Sequence, residues 1–208
     1  MNIQTGTLIF IAGSPGSGKS NMIKYLMSQM YKSLHYGIIV CPTSYDGYSW
    51  LPQRWIHSTY NDSLIEGLMN IQESNKRNNT FIILDDCLGS INWNSNILQH
   101  FITTLRHMRI TVMIATQYCS KIPTLFRETV NYGFIFSQNS EPAFKGTFSA
   151  FGQSHSRWDK WRDWLMQQLS GDRHACVIYE RDSNSEDKKY RKFKAPDMSN
   201  SKFRIKSR

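Results

Sequence analysis

Cysteine is scarce in this chain of 208 residues. Cys41, Cys87, Cys119 and Cys176 stand far apart, and no two are spaced as C-x-x-C. That spacing argues against a disulfide framework and gives a zinc site little support. Three of the four lie in or beside apolar runs and read as small buried side chains in a reducing compartment. Long apolar runs are missing too. None approaches the roughly 18 residues of a membrane span, and "TLIFIAG" is too short for the apolar part of a secretion signal. The expectation is a soluble, intracellular protein. Acidic residues are also few, 16 Asp and Glu against 25 Lys and Arg, for a net charge of +9 and a pI near 9.4. This balance favours an acidic partner such as nucleic acid. The excess lies late in the chain. Residues 1–150 hold eleven basic against eight acidic side chains, residues 151–208 fourteen against eight, and only Asp197 opposes the nine basic residues from Lys188 to Arg208. No internal repeat is present, and no N-K-x-D motif for a guanine base, since "NKRN" at 75–78 lacks the Asp.

Hydrophobic content is nevertheless 40%, with 13% aromatic residues, enough for a globular core. Five short runs rich in β-branched and aromatic residues punctuate the first 140 positions: 7–13, 36–42, 80–86, 110–117 and 132–138. Most are continuously apolar, the mark of parallel strands buried on both faces. Helical stripes fall between several of them: Ile23, Leu26, Met27 and Met30; Leu64, Ile65, Leu68 and Met69; Leu98, Phe101, Ile102 and Leu105. Strands alternating with helices predict an α/β fold. After residue 140 the texture changes. "SRWDKWRDWLMQQLSG" places Trp158, Trp161, Leu165 and Leu169 on one helical face and ends at Gly171. A face of this kind is more often core than a base-stacking platform. "HACVIYER" and "YRKFK" then read as a β-hairpin, and "MSNSKFRIKSR" at the end as mobile. The expected division is a core over 1–145 and a C-terminal helix, hairpin and basic tail over 146–208.

The chemistry lies in three places. Gly13, Ser14, Pro15, Gly16, Ser17, Gly18, Lys19 and Ser20 match G-x-x-x-x-G-K-[ST], after an expected strand and at the start of an expected helix. Glycines let the backbone turn its N–H groups onto a phosphate, and the helix N-terminus adds partial positive charge. Lys19 is the cation for the β- and γ-oxygens, and the Ser20 hydroxyl a ligand for Mg²⁺. "FIILDD" delivers Asp85 to the C-terminal edge of the sheet as the second metal residue, with Asp86 beside it to orient or deprotonate a water. The fourth strand, over 110–117, ends in Gln117, whose amide can donate to a γ-phosphate and accept from water. Such a site leaves developing charge uncompensated, so an arginine supplied by a neighbouring subunit is expected. Arg106 and Arg127 are the first candidates, with Arg109 behind them.

Residues 13–20, "FIILDDC", "LRHMRITVMIATQY" and "IPTLFRETVNYGFIF" together resemble the viral genome-packaging ATPases of the FtsK/HerA superfamily, over roughly residues 5–140. The resemblance implies a RecA-like (ASCE) P-loop fold in which the P-loop strand and the acid-bearing strand are not adjacent. It implies ATP and Mg²⁺ as cofactors, a homo-oligomeric ring, and translocation of double-stranded DNA into a preformed capsid. It further implies a capsid, portal or membrane protein as docking partner, and a place in the host cytoplasm where virus is assembled or at the packaging vertex. Many superfamily members carry Glu where this chain has Asp86, one methylene shorter, which makes a relay water an alternative to direct base action. The rival reading is a P-loop nucleotide or small-metabolite kinase, which would call for an Arg-rich lid that does not appear between Asp86 and Ser137. An ABC ATPase would need its signature before the acid pair, and "QLSGDR" lies well after it. A DNA-binding module without enzymatic activity explains the charge but leaves the P-loop and acid pair idle.

Overall fold

A computed structural model of the chain describes residues 3–43, 45–183, 185–203 and 205. Six strands run parallel: β1 (Leu8–Ala12), β2 (Tyr36–Val40), β3 (Ile56–His57), β4 (Thr80–Asp85), β5 (Ile110–Thr116) and β6 (Tyr132–Ile135). Two more, β7 (Ala175–Glu180) and β8 (Tyr190–Lys194), extend the sheet antiparallel from β6. The order across the sheet is β3-β2-β4-β5-β1-β6-β7-β8. The strand feeding the P-loop and the strand bearing the acid pair are thus separated by β5, as the resemblance implies, and the fold is α/β of the P-loop ATPase type.

Every residue of β1, β4 and β5 is buried, which is why the sequence shows apolar runs there in place of alternation. The period of two is still at work. Leu8, Phe10 and Ala12 face one cluster, with Ile82, Leu84, Val112 and Ile114. Ile9 and Ile11 face the other, with Ile83, Met113 and Ala115. On the first face lie α2 (Asp62–Ser74), α3 (Asn96–Thr104), α5 (Glu141–Phe151) and α6 (Trp158–Leu169); on the second lies α1 (Lys19–Met30). The three helical stripes of the sequence fall on α1, α2 and α3. The tryptophan stripe is core: Trp161, Leu165 and Leu169 are buried, and the indole N–H of Trp161 donates to Thr147 Oγ1 at 3.0 Å.

Three features have no clear signature in the sequence. Strand β3 has two residues, too short for any periodicity. The short α4 (Thr124–Thr129) begins after Pro123 without a side-chain cap. Helix α5 carries Pro142, Gly146, Thr147 and three phenylalanines among its eleven residues, and Gly146 in its middle is required by close approach, since a Cβ there would sit 2.9 Å from the Ser120 backbone nitrogen.

The C-terminal segment overturns one expectation. From Ala195 to Phe203 it packs along α1 instead of trailing away. Asn21 donates to the Pro196 carbonyl at 2.9 Å and accepts from the Met198 N–H at 2.8 Å, while Met198 and Ile205 are buried. Few apolar residues are present here, but those that are find partners, and this outweighs the polar composition. The basic residues from Lys188 to Lys194 likewise belong to the sheet edge and its approach; Arg204, Lys206 and Arg208 lie outside the described residues.

Thr147→Val keeps the shape of a fully buried side chain while removing the acceptor of the Trp161 N–H. It should destabilise the protein by about 1–3 kcal/mol, read as a lower urea midpoint with an unchanged slope of free energy against denaturant.

Candidate functional site

Strand β1 ends at Ala12, and the chain turns at once over β5 and β6. The Gly13 N–H donates to the Thr116 carbonyl at 3.1 Å and the Ser14 N–H to the Ser137 carbonyl at 3.0 Å. Gly16 and Gly18 take φ of +70° and +109°, the left-handed region that an L side chain rarely enters, and the loop closes directly into α1 with Lys19 as its first helical residue. The first N–H groups of α1 have no acceptor within the helix, so the loop presents donors and the positive end of a dipole together. The hydroxyls of Ser14 and Ser17 are buried without a hydrogen-bond partner among the described residues. Lys19 curls back, its Nζ donating to the carbonyls of Gly13 at 2.8 Å and Ser14 at 3.0 Å. Burial pulls the Lys19 ammonium below its ordinary pKa, with Asp85 and Asp86 opposing that shift. Orphan donors and a half-desolvated cation around one concave turn suit a phosphate.

Asp85 ends β4 opposite Ala115 of β5, at the sheet edge from which the P-loop departs. Burial raises its carboxyl pKa above the usual range. A hydrogen bond from Tyr48, at 2.6 Å to Oδ2, and the charge of Lys19 pull it back down. Asp86 is exposed and takes φ of +52°, an uncommon conformation for a non-glycine residue; its N–H donates to the Ala115 carbonyl at 3.1 Å. Strain of that kind, held at a strand end beside a phosphate loop, is what functional sites retain. Among the described residues no group of three or more His, Cys, Asp or Glu is arranged to hold a metal ion. One hydroxyl and one or two carboxylates, with water and a nucleotide's own oxygens, suit Mg²⁺, which keeps part of its hydration shell.

Gln117 follows the last residue of β5, half-buried at the same edge and next to Thr116, which bonds the P-loop. The structure therefore brings residues 13–20, Asp85, Asp86 and Gln117 together. It does not bring the arginines to them. Arg106 and Arg109 precede β5 at the other end of the strands, with the Arg106 carbonyl packed where a Cβ on Gly6 would sit, 3.3 Å away. Five residues of strand separate that end from the P-loop, about 16 Å. Arg127 is tied within its own chain, to Ser149 Oγ and, at 3.0 Å, to Thr124 Oγ1.

Three residues at the site carry no signal in the sequence. Tyr48 reaches Asp85 from a short helical turn (Tyr45–Tyr48) after β2. Arg173 and His174, just before β7, lie beside the P-loop. A guanidinium nitrogen of Arg173 is 3.4 Å from the position of a Cβ on Gly16, and His174 Nδ1 is 3.4 Å from the Ser17 carbonyl oxygen. None belongs to a local pattern; each arrives through the strand order.

The chain is similar to several known proteins. Residues 4–144 match the pattern of the poxvirus A32 protein family. Uncharacterized protein 075L of Invertebrate iridescent virus 6 is 24% identical over 190 residues, 85% of this chain and 72% of that protein. Uncharacterized protein 015R of Frog virus 3 is 24% identical over 158 residues, 70% of this chain, and the matched part spans only 48% of its length. Among solved structures, the genome packaging NTPase B204 of Sulfolobus turreted icosahedral virus 2, in complex with ATP-gammaS, superimposes with a TM-score of 0.66 over 93% of this chain and 98% of that one. Its sequence identity is 14%, so the likeness is one of fold.

Because burial raises the Asp85 pKa, the folded state favours the protonated acid. This group's contribution to stability is present at low pH and is lost as pH rises through its raised pKa. Asp85→Asn should therefore melt higher than the wild type at pH 7–8 without ligand, roughly 2–4 °C for each kcal/mol in a domain of this size. The gap should narrow on acidification, which scanning fluorimetry across pH would measure.

Proposed function

The chain belongs to the poxvirus A32 protein family, and on that footing we propose that it is an ATP-driven motor that moves double-stranded viral DNA into a preformed capsid. The observation that carries the reading is the meeting of P-loop, acid pair and Gln117 at one sheet edge across β5. Here the loop N–H groups and Lys19 hold the β- and γ-phosphates of ATP, Lys19 exchanging its two carbonyl partners for phosphate oxygens. Ser20 and Asp85 hold Mg²⁺, which when bound neutralises charge on the transferred phosphate. Asp86, exposed toward solvent, orients the attacking water directly or through a second water, and Gln117 senses the γ-phosphate from β5. Residues 1–145 serve as the ATPase core, with 146–208 as its C-terminal extension.

A ring is part of this reading, in which a neighbouring subunit supplies an arginine to the site. Arg106 lies far from its own P-loop, as a group acting in a neighbour's site must; Arg106 and Arg127 are the first candidates, with Arg109 behind them. The partners in this reading are double-stranded DNA held without regard to sequence, further copies of the chain, and a capsid, portal or membrane protein at the host-cell assembly site. No helix among the described residues is long and apolar enough to cross a membrane.

ATP turnover should rise on adding duplex DNA, with phosphate released to water and none passed to a small acceptor. Turnover indifferent to DNA, or phosphate transfer to a nucleotide or metabolite, would favour the kinase. Asp86→Asn should still bind ATP while turning over about 10²–10⁴-fold more slowly; near-normal turnover would remove Asp86 from its role. Lys188 and Lys192 are exposed at the approach to β8 and along it. Changing both to Ala should weaken DNA of any sequence alike and lower the slope of log affinity against log salt by about 2, near 0.9 for each phosphate no longer neutralised.

A further inference from the structure

Tyr48 belongs to none of the motifs above, yet its hydroxyl sits at the centre of the acid site. The residue is 1% exposed, and its phenol donates to Asp85 Oδ2 at 2.6 Å. The Ser20 side chain lies near the same phenol, and Cys41 Sγ approaches the same carboxylate oxygen at 3.9 Å. One hydroxyl therefore holds the carboxylate assigned above to the metal and neighbours Ser20, although 28 residues separate it from Ser20 and 37 from Asp85 along the chain. Its ring is held in turn. Tyr48 packs on Trp50 with centroids 6.0 Å apart, Trp50 on Phe203 at 4.9 Å, and Phe203 on Tyr31, which caps the end of α1, at 5.6 Å. Phe203 belongs to the C-terminal segment that lies along α1. A contiguous row of rings thus runs from that segment to the acid at the end of β4.

A short carboxylate at a strand end can rotate about χ1 and χ2, and a ligand oxygen is useful only when one rotamer is held. We propose that Tyr48 is a positioning residue that orients the Asp85 carboxylate, beside Ser20, toward the divalent cation of a metal–nucleotide complex, its ring kept in register by Trp50 and Phe203. The inference rests on the assignment of Ser20 and Asp85 as the metal's residues. It assigns to the C-terminal segment, remote in sequence from both phosphate loop and acid pair, a part in building the metal site.

The test is calorimetric titration of the full chain with the non-hydrolysable analogue AMPPCP, first in EDTA and then at stepped Mg²⁺ concentrations. Tyr48→Phe should bind the analogue in EDTA as the wild type does, but need about 10–100-fold more Mg²⁺ to reach the tight-binding state, the range seen when partners of metal ligands are removed. Phe203→Ala should shift the Mg²⁺ requirement in the same direction by less, and Phe203→Tyr should restore it; this pair serves if Tyr48→Phe does not fold. An unchanged requirement in Tyr48→Phe overturns the proposal. So does a lowered one, the sign expected of a phenol that merely plugs the site. Ser20→Ala and Asp85→Asn, titrated in parallel, separate the two levels. If they also leave the Mg²⁺ requirement unchanged, the ligand assignment itself falls and the proposal with it. If only they raise it, Tyr48 alone loses its role.

Discussion

Three central strands, β4, β5 and β1, are hydrogen-bonded along their length, and the site is built on their common edge. Asp85 pairs with Ala115 and Ala12 with Thr116, so the acid, the strand carrying Gln117 and the start of the P-loop leave the sheet within one residue of the same level. Both faces of these strands are apolar, so a one-residue slip would not be punished by exposing charge, as it is in a half-solvated sheet. Register depends instead on clamps at the opposite ends. The Leu8 N–H donates to the Asn131 side chain at 2.9 Å, and the Gly6 N–H to Thr111 Oγ1 at 3.1 Å. These small polar contacts at the far edge fix where the phosphate loop stands relative to the acid.

What can be read from the amino-acid order follows from that design. Continuous apolar runs announce strands buried on both faces, and glycines followed by Lys-Ser announce a phosphate cradle, because both are local signals. The acid pair is legible because "FIILDD" shows a buried strand changing abruptly to charge. Tyr48, Arg173 and His174 are not legible in this way. Tyr48 stands in a polar stretch whose hydroxyl becomes meaningful only once β2 lies next to β4, and His174 meets Ser17 across 157 residues. At the C-terminal segment composition misleads for a related reason. Composition weighs how many apolar residues a stretch holds, whereas burial depends on whether the few present, Met198, Phe203 and Ile205, have a surface waiting for them.

The site also contains what a fold optimised for stability alone would avoid. A carboxylate is desolvated, an ammonium lies on carbonyls, Asp86 adopts a left-handed backbone, and the Ser14 and Ser17 hydroxyls are buried without partners among the described residues. A strained residue costs about 1–3 kcal/mol, and an unsatisfied buried group about as much. Against a net stability of roughly 5–15 kcal/mol for a whole domain, this is a large local concession. It occurs where residues of four separate connections meet, and a ligand with phosphate oxygens and a cation offers partners to each group left wanting.

The same reasoning bears on the C-terminal extension. Strand β8 carries exposed Lys and Arg and passes without a break into the segment gripped by Asn21, in the first turn of the helix that the P-loop opens. That segment then places Phe203 against Trp50, and Trp50 against the tyrosine bonded to Asp85. A load applied at β8 therefore meets the nucleotide site twice along one short segment, once at the phosphate helix and once at the acid. Packed interiors pass on displacement instead of absorbing it, because side chains at near-crystalline density have few voids to move into. If DNA is held at this basic edge, the shortest mechanical route from polymer to phosphate runs through the C-terminal segment and its row of aromatic rings.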